Sequence, residues 1–234
     1  MGPQNLPERI HEVRMRIARA AEEAGRSAQS VTILAVGKAQ PVALLDAAAD
    51  CGLRDFGESY LQEALAKIEK LASRALTWHF VGRLQANKTR PIAESFSWVH
   101  AIDRMHIAER LAAQRSPQAA PLNVCLAVNL GGEASKGGVL PAALPALAAS
   151  VATLERLALR GLMCIPPPET DPLRQRGWFR RLRELRDELN GAVSLRTPLD
   201  TLSMGMSDDF EAAVLEGATI VRLGTVLFGP RPVQ

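Results

Sequence analysis

Lysine is scarce in this chain. Only five of the 28 basic residues are lysine, namely Lys38, Lys67, Lys70, Lys88 and Lys136, so each can be weighed individually. Cysteine is scarcer still. Cys51, Cys125 and Cys164 lie far apart, with no CxxC pair and no disulfide framework, and read as small buried residues in a reducing compartment. No sign of charge dominates: the net charge is +3, with acids and bases interspersed, which argues against a nucleic-acid surface. No apolar run approaches the roughly 20 residues that a membrane-spanning helix needs. The opening segment, MGPQNLPERIHEVRMRIARAAEEAG, mixes Glu and Arg throughout and is neither a signal nor a transit peptide. The expectation is a cytoplasmic protein that meets neither membrane nor nucleic acid. The four histidines show no HExxH or similar ligand spacing, so no metal is expected. No Pro/Gly/Ser-rich linker or charge block divides the chain, which reads as one domain over residues 1–234.

What is present is a regular alternation. Eight short apolar runs read as strands: Ile33–Val36, Asp55–Gly57, Trp78–Gly82, Trp98–Ile102, Val124–Asn129, Gly161–Ile165, Thr201–Met204 and Thr219–Leu223. Helical spacing appears between them over Pro41–Asp50, Glu58–Leu71, Met105–Gln114, Pro141–Ala158 and Gly177–Asn190, and a further helix, Pro7–Ala24, precedes the first strand. Eight strand–helix units in one chain predict an α/β fold, a closed (β/α)8 TIM barrel with an extra N-terminal helix. An open doubly wound sheet is the alternative, weakened because no GxGxxG follows the first strand.

In such a barrel the ligand sits at the C-terminal ends of the strands, and phosphate sits near strands seven and eight. The richest segment, TLSMGMSDDFEAAVLEGATIVRLGTVLFG, falls there. Ser207 followed by Asp208 and Asp209 reads as a capped helix start, and Gly217 as the glycine that closes that helix. Ile220 to Leu223 is an apolar run holding one charge, Arg222, and a buried arginine must have a partner. Gly224 and Thr225 follow at once and offer backbone N–H groups and a hydroxyl, which suit phosphate. Two carboxylates at the start of the preceding helix would repel a dianion. The phosphate role therefore goes to Gly224, Thr225 and the Ser207 hydroxyl, which can cap the helix as well.

Lys38 ends an apolar strand, where desolvation and Arg222 favour the free amine that a Schiff base requires. A lysine amine, a phosphate cradle and a buried arginine match the aldehyde, phosphate and ring nitrogen of pyridoxal 5′-phosphate (PLP). Against Arg222, which stays protonated, the ring nitrogen stays largely unprotonated and the cofactor is a poorer electron sink. His79 reads as a core or strand-end histidine packed beside Trp78, and Lys88 and Arg90 as a solvated helix start. Lys136, in the glycine-bearing loop GGEASKGG, is a surface residue or a second, transient aldehyde site.

The segments ILAVGKAQP, DFGESYLQEA, WHFVGRLQANKTR, HAIDR, VNLGGEASKGGV, LRGLMCIP and LSMGMSDDFEAAVLEGATIVRLGTVLFGPR, in that order, resemble the pyridoxal phosphate homeostasis protein family. These are small PLP-binding proteins with an alanine-racemase-like N-terminal barrel. The resemblance implies that Lys38 carries PLP as a Schiff base, that Arg222 meets the pyridine nitrogen, and that Ser207, Gly224 and Thr225 hold the phosphate. Three positions depart from the family's usual pattern. Gly37 stands where Ser precedes the lysine, Ser59 replaces the asparagine of FGEN, and Arg83 adds a charge to the third motif.

Three functions remain in play. The first is a non-catalytic protein that buffers PLP and delivers it to apo-enzymes through transient contact, as a monomer or weak dimer. The second is a racemase-like PLP enzyme. Racemases with this barrel bring an opposing tyrosine from a second domain, and here only five residues follow Gly229 and the one tyrosine, Tyr60, is expected inside the barrel near strand two. The third is a barrel enzyme acting on a sugar phosphate through Lys38. The carrier is the favoured reading, with no catalytic residue assigned.

Overall fold

The computed structural model of the chain describes residues 6–133 and 136–230. The first five residues of the opening segment, Ala134 and Ser135 of the glycine-bearing loop, and Arg231 of the last motif lie outside the described residues.

The strands are β1 (Thr32–Val36), β2 (Asp55–Glu58), β3 (Thr77–Phe80), β4 (Trp98–Ile102), β5 (Leu122–Ala127), β6 (Leu157–Met163), β7 (Thr201–Ser203) and β8 (Ile220–Leu223). They close in sequence order into one parallel barrel, β8 pairing β1 with Leu34 opposite Arg222. Around it run α1 (Leu6–Glu23), α2 (Val42–Asp50), α3 (Leu61–Lys70), α4 (Thr89–Ser95), α5 (Met105–Gln114), α6 (Leu144–Ala152), α7 (Pro172–Ala192), α8 (Phe210–Leu215) and the single turn α9 (Thr225–Phe228). The expected (β/α)8 barrel therefore forms, with its extra N-terminal helix. In α1 the residues Leu6, Ile10, Val13, Ile17 and Ala21 repeat every three to four positions and are buried, and this face packs on α8 and α9.

Alternation along the strands sorts the side chains into two unlike layers. Outward residues such as Ala35, Phe56, Phe80, Val99, Leu126, Leu162 and Val221 join the large apolar cluster beneath the helices. Each large aliphatic or aromatic side chain buried there stabilises the fold by about 1.5–3 kcal/mol. Inside the barrel Cys125, Ala127 and Met163 form a small separate apolar group, with Trp98 and Ala101 packed against it. Much of the remaining interior is polar: His79, His100, Ser203 and Arg222 are all buried.

Several boundaries differ from the sequence expectation. The helix expected over Pro141–Ala158 ends at Ala152, and Leu157–Ala158 already belong to β6, because one apolar run serves both elements. Glu58, expected as a helix start, is the last residue of β2. Ser207 is not a helix cap. α8 starts later, after Asp209, whose Oδ1 accepts from Met206 N at 2.6 Å. Gly217 does close α8, at φ 100°, a conformation that costs glycine little. Lys88 and Arg90 sit at the start of α4, as expected. Tyr60 is not inside the barrel: it precedes α3 and is 60% exposed. Cys125 and Cys164 are buried, Cys51 is half-buried, and all three are free.

Candidate functional site

A cavity of about 220 Å³ opens at the C-terminal end of the barrel. Lys38, Ser207, Arg222, Gly224 and Thr225, which the sequence singles out from two distant segments, all line it, and Ser59 and Gln40 complete the polar wall. Among the described residues that line it, only Lys38, Asp208 and Arg222 are ionisable.

Lys38 lies in the turn Gly37–Gln40 directly after β1, closed by Gln40 N donating to Gly37 O at 3.0 Å. The next residue, Ala39, has φ 59°, an uncommon conformation for a residue with a side chain. The turn is held from below. Lys67 Nζ on α3 donates to Gly37 O at 2.7 Å, to Glu58 Oε1 at 2.9 Å and to Glu63 Oε1 at 2.5 Å. Glu63 Oε1 also accepts from Ala39 N at 2.7 Å, so both neighbours of Lys38 are tied to one ion cluster. Burial pushes the Glu58 carboxyl up to about 7, against the opposing pull of Lys67. Its other oxygen, Oε2, is buried without a hydrogen-bond partner. Gly37 fits this arrangement, because a Cβ there would stand 2.8 Å from both Glu58 Oε1 and Leu45 Cδ2. Spacing alone hides the cluster, because Glu58–Leu71 reads as one helix while Glu58 in fact ends β2 and Lys67 stands on α3.

Arg222 enters from β8 with its guanidinium buried. Among the described residues no carboxylate hydrogen-bonds to it. Nη1 donates to Ser203 O at 2.5 Å and Ser203 Oγ at 3.0 Å, and Nη2 to Cys164 O at 2.8 Å. At most three of its five N–H hydrogens are spent there, and others remain for a ligand. Burial works against the charge and lowers its pKa, but a guanidinium does not deprotonate in proteins.

The phosphate-ready segment is built differently from the sequence reading. α9 starts at Thr225, and the first N–H groups of a helix have no partner within it. Ser207 Oγ accepts from Val226 N at 3.2 Å, which ties the loop after β7 to this turn and leaves its own O–H free to donate. The two acids do not crowd α9. Asp209 turns back onto Met206 N, burial raising its pKa, and Asp208 sits exposed on the rim.

Other expected residues fall outside the cavity wall. His79 stacks on Trp98, with ring centroids 5.4 Å apart and planes 7° apart; Trp78 packs on Phe56 instead, because neighbouring strand residues face opposite sides of the sheet. Lys136 Nζ pairs with Glu133 Oε2 at 2.6 Å. Among the described residues no His/Cys/Asp/Glu group has the makings of a metal site, and no helix is long and apolar enough to cross a membrane.

A parallel barrel that turns a strand-end lysine, a buried arginine and a helix N-terminus toward one cavity defines a class of protein suited to a small anionic ligand with an amine-reactive carbonyl end. Comparison with known proteins narrows the class. Residues 12–232 match the family described as alanine racemase, N-terminal domain. The chain is 56% identical over 226 residues to the pyridoxal phosphate homeostasis protein of Pseudomonas aeruginosa, covering 97% of this chain and 96% of that one. PipY of Synechococcus elongatus superposes with a TM-score of 0.85 at 37% identity in the structure without PLP, covering 96% of this chain and all of PipY, 100%. The PipY structure with PLP bound gives 0.81 at 38% identity, covering 91% and 100%. The chain belongs to the alanine racemase N-terminal domain family and, within it, to the pyridoxal phosphate homeostasis proteins. These relatives are named for homeostasis of the cofactor and not for a reaction.

Proposed function

We propose that this chain binds PLP covalently through Lys38 as a Schiff base and serves as an intracellular buffer and donor of the cofactor in the cytoplasm. The observation that carries the reading is the convergence of Lys38, Arg222 and the Ser207–Gly224–Thr225 group on one cavity of about 220 Å³. The polar residues there fit the three handles of PLP, and PipY, a relative of the same fold, has been solved with PLP bound. When bound, PLP supplies an aldehyde that condenses with an amine and a pyridine ring that withdraws electrons from it. Lys38 offers the amine. Arg222 offers N–H donors toward the ring nitrogen and gives it no proton. Ser207 and the first turn of α9 offer donors to the phosphate.

The same wall argues against catalysis. A racemase needs a second acid or base facing the lysine across the ligand. No tyrosine, histidine or cysteine is among the described residues lining the cavity, and Asp208 sits exposed at the rim. Tyr60 is exposed, and His79 lies buried below the cavity.

Borohydride reduction of the loaded protein, digestion and mass mapping test the reading. The pyridoxyl group is expected on Lys38, and Lys38→Ala should remove the main visible absorbance. Label found only on Lys67, Lys70 or Lys88, or protein that takes up no PLP, would overturn it. Loaded protein should reactivate an apo-enzyme and leave amino-acid enantiomers unchanged on chiral chromatography. Steady turnover of any amino acid, abolished by Lys38→Ala, would restore the racemase alternative.

A further inference from the structure

Beneath the cavity a line of hydrogen bonds crosses the barrel interior. Asp55 Oδ1, at the N-terminal end of β2, lies 3.0 Å from His79 Nε2. His79 Nδ1 lies 2.9 Å from His100 Nε2, and His100 Nδ1 lies 2.8 Å from Ser203 Oγ. Ser203 Oγ then accepts from Arg222 Nη1 at 3.0 Å. These residues stand on β2, β3, β4, β7 and β8, so the bond from His100 to Ser203 spans strands that are not neighbours in the sheet. Asp55, with its side chain 29% exposed, is the end that reaches solvent.

The donors in this line can be assigned. Burial lowers the pKa of both histidines, that of His100 most, so both are neutral near pH 7 and each ring has one donor and one acceptor. The Asp55 carboxylate only accepts, so His79 carries its hydrogen on Nε2 and accepts at Nδ1. His100 must then donate from Nε2 and accept at Nδ1. Its donor is the Ser203 hydroxyl, whose oxygen accepts from the guanidinium. Every bond points the same way, from Arg222 down to Asp55.

We propose that Asp55, His79, His100 and Ser203 are positioning residues that fix the Arg222 guanidinium at the cavity, with the half-buried Asp55 setting the direction of the whole chain. The role of Arg222 as donor to the ring nitrogen rests on the proposed function; the direction of the chain does not. The chain supplies no proton to the cavity, because it ends in a guanidinium that only donates hydrogen bonds.

Long-range proton–nitrogen spectra of the unloaded protein read the histidine tautomers directly. The parent should show Nε2–H on both His79 and His100. In Asp55→Asn the amide can donate as well as accept, and both rings should lose that fixed tautomer. PLP affinity, titrated by absorbance, should fall about tenfold in Asp55→Asn and in Ser203→Ala, the scale of one buried hydrogen bond. A positioning chain makes a further demand: in the Ser203→Ala background, Asp55→Asn should have no additional effect, because the link is already cut. Independent structural damage would instead multiply. A multiplicative double variant, or Nδ1–H on His100 in the parent, overturns the proposal. Parent protein that takes up no PLP overturns the role given to Arg222, while the tautomer spectra still decide the direction of the chain.

Discussion

Two supports lie beneath the cavity, and they are made of opposite chemistry. Under Lys38, outside the barrel wall, sits the compact ion cluster Glu58–Lys67–Glu63, joined by contacts of 2.9 and 2.5 Å. Under Arg222, inside the wall, runs a chain in which the buried histidines are neutral and the only carboxylate stands at the solvent end. Each suits the group it carries. On the proposed function Lys38 gives up its proton, and it is held through its backbone neighbours, Gly37 O and Ala39 N, by charges on α3 and the outer face of β2. Arg222 is held through its own side chain, by carbonyl and hydroxyl oxygens that do not neutralise it. Breaking a buried ion pair costs more than breaking a buried hydrogen bond between uncharged groups.

The largest expected effect of breaking the comparison is at Lys67. Lys67→Met leaves Glu58 buried without its partner, and removing one member of a buried pair costs about 3–5 kcal/mol. Denaturant unfolding should show that loss, and the turn Gly37–Gln40 should gain hydrogen exchange with it. Ser203→Ala, on the other support, removes one hydroxyl that accepts from the guanidinium and should cost less, about 1.5–3 kcal/mol. Equal losses would show that the two supports are not different in kind.

The response to pH sharpens the contrast because the two sides have opposite signs. The folded-state pKa of Glu58, about 7, lies above its ordinary 4.5, so its contribution is complete below pH 4.5 and is lost as pH rises through 7. Between about pH 5.5 and pH 8 that loss amounts to about 2 kcal/mol for a shift of this size. Glu58→Gln should flatten this slope in a series of unfolding curves, and an unchanged slope would place the titration elsewhere. The histidines run the other way. Their pKa values are depressed from 6.5, so their contribution is present above pH 6.5 and is lost as acid protonates them. Replacing both by glutamine should reduce acid sensitivity below that pH.

The barrel was legible because its strands are short apolar runs at even spacing, and Lys38, Arg222, Gly224 and Thr225 because they stand at strand ends in a fold whose strand ends carry function. The supports were not. Lys67 and Glu58 are nine positions apart and meet only because β2 ends where α3 turns back over it. His100 and Ser203 are 103 positions apart, and nothing local relates them. Two signals did exist. His79 and His100 each occupy the third position of an apolar strand, the same inward phase as Arg222, which marks a polar interior. A buried arginine also requires a partner, and here the partners are two carbonyl oxygens and a hydroxyl. Carbonyl oxygens exposed at strand ends leave no trace in side-chain identity.

The smallest expected effect concerns Ser207, which the sequence reads as a cap and the structure gives to α9. In Ser207→Ala the Val226 N–H loses its acceptor. One modest hydrogen bond is worth about 0.5–1.5 kcal/mol, so the apo-protein should lose no more than that in unfolding. The same variant should weaken PLP by a similar factor and weaken pyridoxal, which has no phosphate, by less. That ratio separates the two jobs of the hydroxyl. If it only ties the loop to α9, both ligands suffer alike, because both need Lys38 and Arg222 across the same cavity. If it also donates to the phosphate, PLP suffers more than pyridoxal. An equal loss for both ligands would remove Ser207 from the phosphate site and leave Gly224 and Thr225 to hold it.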